Sequence, residues 1–161
     1  MPRSTDAPTP AFTLRPAAEA DVPFLLHLRE TAMDPHHRAA GIVQTPAEME
    51  ERVRSHWEEA QVIEVDGRPV GLWKLWRQPA AWWILQVQLM PAFQGHGIGA
   101  TLIRALQAEA LAAQMPLKLK VLKSNPARQL YERLGFVIVG EGEHGWEMQA
   151  GGLEPPASAS R

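Results

Sequence analysis

Cysteine is absent from the 161-residue chain, which excludes disulfides, thiolate metal ligands and a cysteine nucleophile. No stretch reaches the roughly 18 consecutive apolar residues of a membrane-spanning helix. Residues Met1 to Pro10 are polar and proline-rich, without the apolar run of a signal peptide, so a soluble cytoplasmic protein is expected. Neither sign of charge dominates: 16 basic residues face 18 acidic ones, for a net charge of -2. That balance argues against a general binder of nucleic acid or of anionic membranes. There are six histidines, but none forms HExxH or another metal-ligand spacing. The adjacent His36 and His37 would diverge on any regular element, so no metal is expected. Tyrosine occurs once, at Tyr131.

The length suits one domain with a sizeable core. We place it at residues 11–150, between a flexible arm at 1–10 and a Gly, Pro, Ala and Ser tail at 151–161 with little to bury. No internal repeat is visible. Phe12 to Pro16 alternates like a strand, and Ala18 to Met33 has helical apolar spacing at Val22, Leu25, Leu26 and Leu28. Asp34 to Gln44 reads as a loop. Thr45 can cap a second helix, with Pro46 at its first position and Glu48 completing a capping box. Gln61 to Val65 and Pro69 to Trp76 are strand patterns joined by the hairpin signal Asp66-Gly67. Trp82 to Leu89 is the next strand. A helix at Gly97 to Ala113 carries a stripe of Ile98, Leu102, Ile103, Leu106 and Leu111. Leu117 to Val121 is a strand, and Asn125-Pro126 opens a helix that Gly135 ends. Phe136 to Val139 and Gly145 to Ala150 form a closing hairpin. The order β-α-α-β-β-β-α-β-α-β-β describes a mixed sheet with helices against it.

One stretch stands out. Leu85 to Gly99, LQVQLMPAFQGHGIG, is an apolar strand followed by glycines at alternate positions and then a helix. Glycines at such a junction let a ligand approach the backbone, and the unpaired N–H groups of the helix N-terminus suit a phosphate. A nucleotide-hydrolase phosphate loop needs Gly-Lys-Ser/Thr, whereas this loop ends Gly97-Ile98-Gly99-Ala100. A dinucleotide fingerprint can be traced through Gly95, Gly97 and Ala100, but where it wants an acidic residue the chain has Lys118, Lys120 and Lys123. These basic residues would suit only the phosphorylated cofactor. The third interpretation is Q-x-x-G-x-G over Gln94 to Gly99, a loop for the pyrophosphate of coenzyme A. The plain alternative is a turn that only lets strand and helix pack closely.

The second motif, NPARQLYERLGF from Asn125 to Phe136, lies about 30 residues further on. Together the two resemble the GNAT superfamily of acyl-CoA-dependent N-acyltransferases, closely from Leu85 to Phe136 and more weakly outside. The resemblance implies an α/β (α+β) fold: a mixed, mostly antiparallel sheet of about seven strands with helices on both faces. Its fourth and fifth strands are expected to splay. It also implies acetyl-CoA as co-substrate. The backbone of Val87, Gln88, Leu89 and Met90 would pair with the pantetheine arm, and an N–H near Leu89 would bind the thioester carbonyl. Gln94, Gly95, His96, Gly97, Ile98, Gly99 and Ala100 would wrap the pyrophosphate. Asn125 matches a cofactor-contacting asparagine, although it stands one position closer to Tyr131 than is common and also suits a helix cap. Tyr131 matches the tyrosine that protonates the departing thiolate.

The base that frees the amine is not evident. Some family members use a glutamate before the splayed part of the strand, where this chain has Trp82-Trp83-Ile84-Leu85. A water held by Gln86, Gln88 and backbone carbonyls is the first choice, with Glu30, His36 or His37 as others. For the acceptor pocket, His36, His37, Trp73, Trp83 and Gln86 are candidates, since aromatic walls attract cations and apolar groups; core packing is the alternative for the tryptophans. The expected activity is acetyl transfer from acetyl-CoA to a primary amine of a small molecule by direct attack. A non-catalytic acyl-CoA sensor and a protein N-terminal or lysine acetyltransferase are the alternatives. A homodimer through the sheet edge or the closing hairpin follows from the resemblance alone.

Overall fold

A computed structural model describes residues 8–152. Most of the expected arm and nearly all of the tail therefore lie outside the described residues. The strands are β1 (Thr13–Pro16), β2 (Ala60–Val65), β3 (Arg68–Arg77), β4 (Trp82–Leu89), β5 (Leu117–Leu122), β6 (Val137–Glu141) and β7 (Gly145–Ala150). They form one seven-stranded sheet in the order β1-β2-β3-β4-β5-β7-β6. Every pairing is antiparallel except β4 with β5. The helices are α1 (Val22–Ala32), α2 (Asp34–Ala39), α3 (Pro46–Arg54), α4 (Ile98–Ala112) and α5 (Ala127–Arg133).

Local chemistry accounts for most of these boundaries. Asp66 and Gly67 adopt φ of 53° and 75°, the left-handed pair that a two-residue hairpin turn requires. At α3 the capping box forms: Glu48 N donates to Thr45 Oγ1 at 3.1 Å and Thr45 N to Glu48 Oε1 at 2.8 Å. Two expectations need correction. Residues 34–39 were expected in a loop and form α2, a helix too short to stand on local propensity that is held against α1. Leu111, expected on the buried stripe of α4, is 81% exposed, and Ala110 is the buried residue there. Ala110 lies four positions after Leu106, one helical repeat along the same face.

The sheet has a core on each side. Ile63, Trp73, Ile84, Ile103, Leu119 and Phe136 pack between the sheet and α4–α5. Leu25, Leu28, Val53 and Leu72 pack between the sheet and α1–α3. Helices therefore cover both faces, as the resemblance implied.

Lys74 breaks the apolar run of β3. It is 1% exposed, and its Nζ donates to the carbonyls of Val53 at 2.9 Å, Ser55 at 2.5 Å and Arg52 at 3.3 Å. These are carbonyls at the C-terminus of α3, where a cation is favoured by both the free acceptors and the helix dipole. Burial, then the nearby Arg52 and Arg29 charges, push the Lys74 ammonium down to about 8. We expect Lys74→Met to destabilise the protein at neutral pH by about 1–3 kcal/mol, because carbonyls lose their donor. The unfolded chain binds this proton more tightly than the folded one, so Lys74 makes stability rise with pH between about 8 and 10.5. Urea unfolding at the two ends of that window should show the rise in the parent and not in the variant.

Candidate active site

The parallel pairing of β4 with β5 lasts for only three residue pairs, Trp82 with Leu117, Trp83 with Lys118 and Ile84 with Leu119. Beyond Ile84, β4 continues along β3 and β5 continues along β7, so a wedge opens between them. The parting coincides with a bulge. Lys74 pairs with Gln86 and Leu75 with Ile84, which leaves Leu85 as the extra residue. One extra residue reverses the phase of a strand.

The new phase determines which amides face the wedge. Met90 N donates to Val70 O at 2.8 Å. Hydrogen bonding toward one neighbour alternates along a strand, so Gln88, opposite Leu72, also faces β3 with its backbone. Val87 and Leu89 then turn their N–H and C=O groups to the side that β5 has left. Of the four residues expected to pair with the pantetheine arm, these two have backbone groups directed to the wedge. Met90 does not: its N–H is bonded to Val70, its carbonyl accepts from Phe93 N at 2.8 Å, and its sulfur lies 3.6 Å from Thr31 Oγ1.

The glycine loop closes one end of the wedge. Gly95 and Gly97 have φ of 79° and 90°, a region that other residues rarely adopt. A Cβ on Gly97 would also sit 2.5 Å from Thr9 Oγ1. The first bond of α4 runs from Thr101 N to Gly97 O at 2.9 Å, so the amides of Ile98, Gly99 and Ala100 have no helical partner. They open on a groove of about 590 Å³ whose walls include Gln94, Gly95, Gly99, Asn125 and Tyr131. Gln94 is tied back through Nε2 to Leu89 O at 2.9 Å. His96 is exposed and stands outside the groove lining.

Tyr131 stands where this groove meets a second cleft, of about 290 Å³, and lines both. It is 7% exposed and rests edge-on against Phe136, with ring centroids 6.0 Å apart. Burial pushes its phenol up to about 12, so it stays protonated at neutral pH and can donate. Asn125 also lines both spaces. Its Oδ1 accepts from Ala127 N at 2.9 Å, so its side chain caps the start of α5.

The smaller cleft lies against the α1–α3 face. Gln86 and Gln88 are opposite Lys74 and Leu72 on β3 and share that face. Both line the cleft together with His37, and Gln86 Oε1 is buried there with no hydrogen-bond partner among the described residues. His36 lines the larger groove instead, so the two histidines do diverge, here on α2. Glu30 is exposed and lines neither space. Trp73, expected at the acceptor side, is 4% exposed in the core beneath α4, on the opposite face of the sheet. Its strand phase puts it there, opposite Val87. Trp83 is on the acceptor face, covered by the ammonium groups of Lys118 and Lys120 at 5.3 and 5.9 Å, and does not line the cleft. Arg29 and Arg52 do line it and had no motif to announce them. Among the described residues no cluster of side chains could hold a metal ion.

The family model described as Acetyltransferase (GNAT) domain matches residues 55–138. The chain belongs to the GNAT acetyltransferase family. No match to a curated protein was found by sequence. Among solved structures, the GNAT chain is similar to the PaiA N-acetyltransferase of Thermoplasma acidophilum in complex with coenzyme A. That match has a TM-score of 0.68 and 14% identity, over 88% of this chain and 99% of the other. An acetyltransferase from Thermus thermophilus gives a TM-score of 0.71 at 16% identity, over 89% of this chain and 98% of the other. The ribosomal-protein-S18-alanine N-acetyltransferase of Escherichia coli gives 0.65 at 18% identity, over 91% and 97%. The protein is thus an acyltransferase of that family.

Gly99 tests the loop more cleanly than Gly97, because it is already helical and a Cβ there meets only Val87 Cγ2 at 4.0 Å. We expect Gly99→Glu to weaken acetyl-CoA binding by about tenfold or more, by placing a carboxylate where the pyrophosphate would sit. Calorimetric titration reads the affinity, and an unchanged circular dichroism spectrum shows that the fold is kept.

Proposed function

We propose that this GNAT enzyme transfers the acetyl group of acetyl-CoA to a primary amine of a small molecule by direct attack. The observation that carries the proposal is the convergence at one place of the parted strands, the free N-terminus of α4 and a buried, protonated Tyr131. In this scheme the amides of Ile98, Gly99 and Ala100, with the loop from Gln94 to Gly97, hold the pyrophosphate. The backbone of Val87 and Leu89 extends the sheet along the pantetheine arm. A wedge-facing N–H near Leu89 stabilises charge on the thioester oxygen as the amine attacks. Tyr131 donates its proton to the sulfur as the C–S bond breaks.

The amine approaches from the smaller cleft. Its volume of about 290 Å³ is at the small end of ligand pockets, which favours a small acceptor. No carboxylate lines this cleft among the described residues, so we assign proton removal to a water relay held by Gln86 and Gln88. We also propose a homodimer, because Val137, Ile138 and Val139 on the edge strand β6 are 44%, 40% and 44% exposed. Elution as a monomer on a calibrated sizing column would remove that part.

Tyr131→Phe should lower kcat by at least about tenfold while leaving acetyl-CoA affinity within about twofold. Unchanged turnover would end the acid role. Because the phenol ionises only near 12, kcat/KM should show no fall attributable to Tyr131 up to about pH 10.

A further inference from the structure

The cleft that receives the amine is cationic. Arg29, Arg52 and Lys120 line it, and no described carboxylate does. Arg29 is held in place by Nε donation to Gln44 Oε1 at 3.0 Å. Arg52 differs from Arg54 on the same helix. Arg54 bonds Glu19 and Glu50 at 2.6 and 2.9 Å, whereas Arg52 has no ion pair among the described residues. Lys120 differs from its neighbours in the same way. Lys118 pairs with Glu147 at 3.1 Å and Lys123 with Glu141 at 2.5 Å, while Lys120 lies over the Trp83 ring and has no ion pair among the described residues. Arg52 and Lys120, which have no ion pair among the described residues, both face the cleft. Behind them the buried Lys74 ammonium adds a fourth positive centre, anchored on the carbonyls of α3.

A positive cavity repels a polycationic acceptor and favours one that brings its own negative charge. It also lowers the pKa of an amine bound inside it, which helps supply the neutral nucleophile where no carboxylate base lines the cleft. Gln86 Oε1, a buried acceptor without a partner, is suited to receive an amine N–H. We propose that the acceptor is a small amine that also carries a carboxylate, bound with the carboxylate on Arg52 and Lys120 and the amine on Gln86 Oε1. This rests on the acetyl-transfer function proposed above and narrows its substrate class to amino-acid-like molecules.

The test measures thiol release from acetyl-CoA with a panel of free L-amino acids, the same amino acids as carboxamides, spermidine, and peptides with acidic N-termini. The expected result is that at least one free acid exceeds its carboxamide by about tenfold or more in kcat/KM. Arg52→Gln should then shrink that preference by about tenfold through KM for the acid, with acetyl-CoA affinity by calorimetry unchanged; Lys120→Gln should act in the same direction. Preference for carboxamides, spermidine or peptides, or an acid preference that survives both substitutions, overturns the carboxylate site and leaves acetyl transfer standing. Acetyl-CoA binding without thiol release for any acceptor overturns both.

Discussion

The pairing of β4 with β5 ends after Ile84 and Leu119, and every functional element is placed relative to that break. Had the ladder continued, the amides of β4 would be satisfied within the sheet and no main-chain surface would remain for an extended ligand. The Leu85 bulge sets the detail. At the closed end Trp82 N bonds to Pro116 O across to the β5 side at 3.0 Å. An uninterrupted strand would carry that phase on to Gln86 and Gln88. The inserted residue hands the wedge to the amides of Val87 and Leu89. It also turns the side chains of Gln86 and Gln88 toward α1–α3, where the smaller cleft lies.

Charge is distributed unevenly about this wedge. On the α4 side the donors are main-chain amides of a helix N-terminus, a fixed partial positive charge that needs no counter-ion in the protein. On the α3 side the positive charge is carried by whole side chains, and Lys74 couples them to the sheet by gripping the end of the helix that bears Arg52. Tyr131 lies between the two, deep enough that its phenol remains neutral. The three arrangements suit three demands of acetyl transfer: a diphosphate to hold, an acceptor to orient and a leaving sulfur to protonate.

Much of this was legible in the chain because it rests on local rules. The Asp66-Gly67 turn, the Thr45 cap and the limits of β4 follow from backbone and side-chain preferences within a few residues. The glycine loop and the tyrosine helix were legible as motifs because a pyrophosphate site needs positive-φ glycines at the start of a helix. Other features depended on partners distant in sequence. α2 looked like a loop because its six residues gain their stability from α1. Trp73 looked like an acceptor-side aromatic because composition says nothing about which face of β3 it occupies. The role of Lys74 had no local signal because its carbonyl partners lie some 20 residues earlier in the chain.

The sequence by itself determined the order of the strands and of the helices other than α2, the family and the loop that suits a diphosphate, since each is written in short-range spacing. Only the tertiary structure decided that β4 and β5 part after three pairs, that Val87 and Leu89 own the open amides, and that the cleft beside Tyr131 is lined by Arg29, Arg52 and Lys120. Those outcomes depend on a one-residue register shift between β3 and β4 and on side chains brought together from α1, α3 and β5. Register and long-range juxtaposition are set by the summed packing of both cores, and no local pattern encodes them.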